Sequence, residues 1–143
     1  MNLLEMNHVK KSFGDLGVIQ DISLHVGEGE IVSIIGPSGS GKSTLLRCLT
    51  LLERPTSGQI MLAGQDIASL SGAQLRAARR GMGVVFQGYN LLMQKTVAEN
   101  VAFPLRLEKG YDRAAVQARV AELLAIVGLE DRAGAYPAQL SGG

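Results

Sequence analysis

The residues most suited to chemistry form segment 36–44, GPSGSGKST, which fits the phosphate-loop pattern G-x-x-x-x-G-K-[ST]. Glycines let the backbone wrap closely around a polyphosphate, and successive amide N–H groups then form an anion-binding concavity. A helix beginning near Lys42 adds the positive end of its dipole. We expect Lys42 to reach the β- and γ-phosphates and the Ser43 hydroxyl to ligate Mg²⁺.

The surroundings of this loop favour a binding site over a flexible Gly/Ser-rich turn. The apolar run at residues 31–35, IVSII, predicts a buried strand directly before the loop, and a helix is expected after it. A flexible turn would require neither that strand nor a Lys-Ser pair at its end. The expected phosphate contacts are Ser38, Gly39, Ser40, Gly41, Lys42, Ser43 and Thr44. The chain is therefore predicted to bind a nucleoside triphosphate.

Composition indicates a globular protein of about one domain. The chain has 143 residues, 46% hydrophobic, with a formal charge of +1 and a single cysteine, Cys48. The charge balance gives no reason to expect nucleic acid, and the lone cysteine excludes an internal disulfide framework. The sequence has no run of about eighteen apolar residues, the length needed to span a membrane, and its first residues lack a signal-peptide pattern. We expect Cys48 to pack in a core and the protein to be soluble and cytoplasmic.

The pattern of apolar residues predicts a β-rich first part, residues 1–95, that contains the phosphate loop. The predicted strands are 3–9, 22–26, 31–35, 59–62 and 83–86, and the predicted helices are 44–52 and 73–80. Arg76, Arg79 and Arg80 are assigned to the solvated side of the second helix.

Residues 96–143 read as a helical part. Thr96 with Glu99 predicts a capping box, and Pro104 is expected to end or bend the helix that follows. Asp112 is the expected cap of a longer helix that stops at Gly128.

Two further motifs narrow the family. Gln87 follows the predicted strand 83–86, and the chain closes with Leu140-Ser141-Gly142-Gly143. Phosphate loop, glutamine and Leu-Ser-Gly-Gly, in that order, resemble the ATP-binding cassette (ABC) transporter ATPases over the whole chain. The resemblance implies an α/β fold: a P-loop NTPase core with an N-terminal antiparallel β part and a C-terminal helical segment, truncated before the Walker B strand. It also implies ATP and Mg²⁺ as ligands.

The resemblance suggests a role for each matching residue. Phe13 matches the aromatic residue that stacks on adenine, and Val18 would be an apolar wall of that site; a plain strand-end aromatic is the alternative for Phe13. Gln87 resembles the catalytic glutamine that senses Mg²⁺ and the attacking water, although a surface glutamine without a role remains open. Ser141, Gly142 and Gly143 resemble the signature motif, which caps the γ-phosphate held by a second subunit.

Segment 86–92, with Thr96-Val97 and Asn100-Val101, looks most like methionine-importer ATPases, although lipoprotein and macrolide exporters carry similar segments. The implied partners are transmembrane permease subunits and a second copy of the nucleotide-binding subunit. The implied location is peripheral, on the inner face of the cell membrane.

The sequence departs from the family pattern at its end. No apolar run ending in Asp-Glu follows Gly143, and neither histidine lies where the family's switch histidine would be. The alternatives are therefore an ATPase subunit and an ATP-binding fragment without hydrolysis; we expect the chain alone to lack hydrolysis. We also expect residues 31–35 to stay uncovered and to promote association between copies.

Overall fold

A computed structural model describes residues 2–141 as two compact units, one ending at Val84 and the other beginning at Val85. The first unit contains strands β1 Asn2–Phe13, β2 Leu16–Gly27, β3 Ser57–Leu62 and β4 Gln65–Asp66, with helices α1 Lys42–Leu49 and α2 Gly72–Arg80. The second contains helices α3 Val97–Arg106 and α4 Arg113–Ile126, and the 3₁₀ turns Glu130–Arg132 and Pro137–Gln139. The predicted domain boundary after residue 95 stays a prediction.

The four strands form an antiparallel sheet in the order β2-β1-β3-β4. A bulge at His8, whose φ is +50°, shifts the register of β1, so that Met6, Val9 and Lys11 all face the interior. Gly58 on β3 lies against this bulge, where a Cβ atom would come 2.4 Å from the His8 carbonyl oxygen. Only glycine fits beside the bulge, and the bulge directs Lys11 inward.

The core of the first unit lies between the sheet and α1. Its buried apolar residues come from β1, β2, β3, from α1 and the residues just after it, and from the segment between β4 and α2: Met6, Val9, Ile19, Leu45, Cys48, Leu51, Ile60, Ile67 and Leu70. Cys48 is completely buried, which confirms that it packs in the core, and burial raises the pKa of its thiol.

Two predicted strands are wrong as local structure. Residues 31–35 and 83–86 have no strand assignment, and Ile31 and Ile35 are 95% and 92% exposed. An apolar run becomes a strand only when a neighbouring strand accepts its backbone hydrogen bonds, and residues 2–141 place no such neighbour beside these segments. The expected exposure is observed for Ile31, Val32 and Ile35, whereas Ile34 is half-buried and packs against the core.

Arg79 differs in part from its prediction, because its side chain is half-buried. One guanidinium nitrogen donates to the Leu51 carbonyl, and its Nε is buried without a hydrogen-bond partner. Arg79 thus connects α2 to the segment just after α1, while Arg76 and Arg80 are exposed as expected.

The helix ends of the second unit follow the sequence signals. Thr96 and Glu99 form the predicted capping box, and Asp112 caps α4 through the Ala115 amide. Gly128, with φ of +68°, follows α4, and its amide and that of the next residue bond back to the last turn. Pro104 lies inside α3, which continues to Arg106, so the helix ends only two residues beyond the proline.

Five buried residues hold α3 and α4 together: Val97, Ala102, Val116, Val120 and Leu124. Within residues 2–141, no helix is long and apolar enough to cross a membrane.

Candidate functional site

The phosphate loop is organised around the Lys42 ammonium. Lys42 opens α1, and its Nζ donates to the carbonyl oxygens of Gly36 at 2.7 Å and Pro37 at 2.6 Å. A longer contact of 3.4 Å reaches the Ser40 hydroxyl. The Lys42 side chain therefore folds back over the loop, and its ammonium is surrounded by oxygen atoms of Gly36, Pro37 and Ser40.

Glycines make this closed loop possible. Gly39 and Gly41 have φ of +79° and +93°, in the left-handed region where a side chain is strained. A Cβ atom on Gly36 would come 2.8 Å from the Ser40 hydroxyl oxygen. Gly41 is also the residue before α1, so the loop leads directly into the helix N-terminus.

A cavity of about 400 Å³ joins this loop to the second strand. Val18 on β2 lines it together with Gly36, Ser40 and Lys42, while its role as a wall of an adenine site stays a prediction. Asp21 is the carboxylate in the described lining, and it pairs with Nδ1 of His8 at 3.1 Å.

Phe13 lies on the same hairpin, outside the lining of that cavity. It ends β1, pairs with Leu16 across the Gly14-Asp15 turn, and is 47% exposed. The Lys11 ammonium stands over its ring, 4.6 Å from the ring centroid. Sequence reasoning missed Lys11, although its spacing of two from Phe13 on a strand places both side chains on one face.

Ser43 and Thr44 occupy the first turn of α1. Ser43 is exposed, so its hydroxyl is accessible to a cation beside bound phosphates. Among residues 2–141 no group of three or more His, Cys, Asp or Glu could hold a metal ion. A single protein hydroxyl fits a cation such as Mg²⁺, which proteins commonly bind through few side chains together with substrate phosphates.

The other site residues predicted from the sequence either belong to the second unit or lie outside the residues that the structure describes. Gln87 lies in an exposed turn, followed by Tyr89 and Asn90 with φ of +60° and +52°. Ser141 is exposed at the end of the described chain, and Gly142 and Gly143 lie outside the described residues.

Asn100 on α3 organises the segment after Gln87. Its Nδ2 donates to the carbonyls of Leu92, Lys95 and Thr96, at 3.0 to 3.2 Å, and its Oδ1 accepts from the Leu92 amide at 2.8 Å. No simple spacing rule identifies such a residue, since its partners are backbone groups of a loop.

Comparison with known proteins places these features in one family. The ABC transporter family matches residues 19–143, and this chain belongs to it. It is similar to the methionine import ATP-binding protein MetN of Symbiobacterium thermophilum, at 51% identity over 99% of this chain and 43% of the relative. MetN of Thermobifida fusca is 52% identical over all of this chain and 44% of the relative.

Solved structures agree with this assignment. The dimeric ATP-binding cassette MJ0796 in a post-hydrolysis state, bound to ADP and Pi, matches with a TM-score of 0.87 at 35% identity. That match covers 97% of this chain and 63% of the cassette, and a second dimeric structure of MJ0796 matches with a TM-score of 0.88. The α/β ABC cassette fold expected from the sequence is confirmed, and the chain spans less than half the length of its MetN relatives.

Proposed function

We propose that this chain binds Mg²⁺–ATP as the nucleotide-binding part of an ABC transporter ATPase. The observation that carries the proposal is the closed phosphate loop, in which the Lys42 ammonium occupies a ring of loop oxygens. The loop carbonyl oxygens are uncharged acceptors for the Lys42 ammonium, whereas phosphate oxygens carry negative charge and attract the ammonium more strongly. We therefore expect the Lys42 ammonium to exchange its carbonyl partners for phosphate oxygens when a triphosphate binds.

The loop residues have distinct roles in this proposal. The amides of Gly39, Ser40 and Gly41 donate to phosphate oxygens, and Lys42 neutralises charge on the β- and γ-phosphates. Ser43 offers its hydroxyl to Mg²⁺, which when bound neutralises charge that develops during phosphoryl transfer. Phe13 stacks on the base, and Val18 provides an apolar wall between base and phosphates. Gln87, by its resemblance to the catalytic glutamine of the family, is the proposed ligand for metal and water.

Methionine import is the transport process that we propose for the whole protein. The supporting observation is the name of the relatives, methionine import ATP-binding proteins, at 51% and 52% identity. The protein would lie on the inner face of the membrane, with transmembrane permease subunits as partners. A second nucleotide-binding subunit is the other proposed partner, since the MJ0796 cassettes are described as dimeric. The Ser141, Gly142 and Gly143 motif would contact the γ-phosphate bound by that second subunit.

We propose further that these 143 residues alone bind ATP without turning it over. A hydrolytic site needs a group that orients or deprotonates the attacking water. Asp21 is the carboxylate among the described lining residues, and its side-chain contact is with Nδ1 of His8 at 3.1 Å. The proposal rests on the sequence, in which no Asp-Glu pair follows an apolar run after the phosphate loop.

Isothermal titration with Mg²⁺–ATP tests binding, and phosphate release tests turnover. We expect the parent chain to bind ATP, Lys42→Ala to lose most of the affinity, and neither to release phosphate at about 1 s⁻¹ or faster. Equal affinity in both chains would contradict the proposed site. Turnover abolished by Lys42→Ala would contradict the absence of hydrolysis, while weak activity that survives the substitution indicates contamination.

A further inference from the structure

We infer that Lys11 is a positioning residue for base recognition: it holds the Phe13 ring so that its open face receives a purine. This inference rests on the proposed ATP site.

Lys11 is a buried cation with a complete set of partners. The residue is 9% exposed, and its Nζ contacts Glu53 Oε1 at 2.6 Å and the Arg54 carbonyl oxygen at 2.8 Å. A lysine is rarely buried unless it is paired, so this position is specified by its contacts. The third contact is the ring of Phe13, with the ammonium 4.6 Å from the centroid.

The partners of Lys11 are themselves fixed. The Arg54 guanidinium donates to the carbonyls of Ala68 and Leu70 at 3.0 and 2.8 Å. Thr56 makes two hydrogen bonds to β1, one on either side of Lys11. The Thr56 amide donates to the Lys10 carbonyl oxygen, and the Ser12 amide donates to the Thr56 hydroxyl. The ammonium is therefore a fixed point beneath a ring that would otherwise move freely at a hairpin end.

An aromatic ring has two faces, and the ammonium occupies one of them. Phe13 is nevertheless 47% exposed, so much of the ring remains open for stacking. Ordering a mobile side chain opposes binding, and a ring already held in place loses less freedom when a base stacks on it. The benefit concerns the base alone, because phosphates bind through the loop at residues 36–44.

This separation of base from phosphate gives a direct test on the 143-residue chain. Binding of ATP and of inorganic tripolyphosphate, both with Mg²⁺, is measured by titration calorimetry. The variants are Lys11→Met with Glu53→Gln, which removes both charges of the pair together, and Lys11→Arg, which keeps the cation. Lys10→Met, an exposed neighbour on the same strand, is the matched control.

We expect the double variant to lose about three- to tenfold in ATP affinity, as for the cost of ordering one side chain on binding, with tripolyphosphate affinity changed less than about twofold. Lys11→Arg and Lys10→Met should keep the parental ratio of the two affinities. Equal losses for both ligands, or an unchanged ratio in the double variant, would overturn the role of Lys11. Binding of neither ligand by the parent chain would overturn the proposed function as well, so the two failures are distinguishable.

Discussion

The carbonyl oxygen of Val18 lies 3.2 Å from the position that a Cβ atom on Gly41 would occupy, and Val18 Cγ1 lies equally close. Strand β2 therefore supports the last turn of the phosphate loop directly. Because Gly41 also has φ of +93°, two independent constraints require glycine there. The contact between Val18 and Gly41 thus connects the proposed base site to the proposed phosphate site.

Gly41→Ala should weaken ATP binding more than Gly39→Ala does. Both positions have positive φ, so each alanine introduces backbone strain of roughly 1–3 kcal/mol. Only at Gly41 would the new methyl group also press on Val18, since nothing lies within 4 Å of a Cβ at Gly39. Titration of both variants with ATP measures the difference, and equal losses would show that the Val18 contact is unimportant.

Asn100→Ala should release the segment 92–96 from α3 while the helices remain packed. The Asn100 side chain makes four hydrogen bonds to backbone groups of that segment, most of them part-buried. Their loss leaves these backbone groups without partners, at a cost of about 1–3 kcal/mol. Amide exchange should accelerate at Leu92 and stay slow in α4. Lys95→Ala, which removes a side chain but not the bonded carbonyl, is the control. Unchanged exchange at Leu92 would contradict the assignment.

The capping box should make the stability of α3 depend on pH. The hydrogen bond from the Thr96 amide lowers the pKa of the Glu99 carboxyl in the folded state, with Lys95 adding to the effect. A lowered folded pKa gives stability that is present above the ordinary glutamate value of about 4.3 and is lost as pH falls through the folded value. Glu99→Gln should flatten this dependence in acid unfolding curves. A slope identical to the parent's would refute the prediction.

Thr96→Ala should cost about 1 kcal/mol in the free energy of unfolding, because the Glu99 amide loses its side-chain acceptor. Urea unfolding followed by circular dichroism measures the change. Ser69→Ala serves as a control hydroxyl that caps no helix N-terminus. A loss no greater than that of the control would mean that water replaces the cap.

The exposed isoleucines of segment 31–35 should drive association between copies. Ile31 and Ile35 are almost fully exposed, and each Å² of apolar surface that association buries contributes about 25 cal/mol. Light scattering over a concentration series should show growing mass for the parent chain and less growth for Ile31→Ser with Ile35→Ser. Ile126→Ser, 71% exposed on α4, is the control. A parent chain that remains monomeric at high concentration would contradict this account.

Local signals in the sequence predicted local structure well. The capping box at Thr96, the Asp112 cap and the Gly128 stop are all confirmed, because helix ends depend on residues within one turn. Val18 shares a cavity with the phosphate loop, which the sequence pattern did not predict, and its role in an adenine site stays a prediction.

Features set by distant neighbours were not predictable in the same way. Residues 31–35 have the composition of a buried strand, but hydrogen-bonded neighbours decide whether it forms. Arg79 looks solvated by helix periodicity, and its burial follows from the position of the Leu51 carbonyl in another element. Lys11 faces inward because a bulge at His8 changes the strand register, and the sequence alone does not reveal that bulge.

The central claim is that Lys42 holds the phosphates of ATP, and thermal unfolding with and without Mg²⁺–ATP tests it most directly. A ligand at a hundredfold excess over Kd stabilises the folded chain by about 2.7 kcal/mol, which raises the midpoint by several degrees. We predict this rise for the parent chain and for Lys10→Ala, an exposed cation of the same unit, and its near-complete loss in Lys42→Ala. An equal rise in Lys42→Ala would contradict the account.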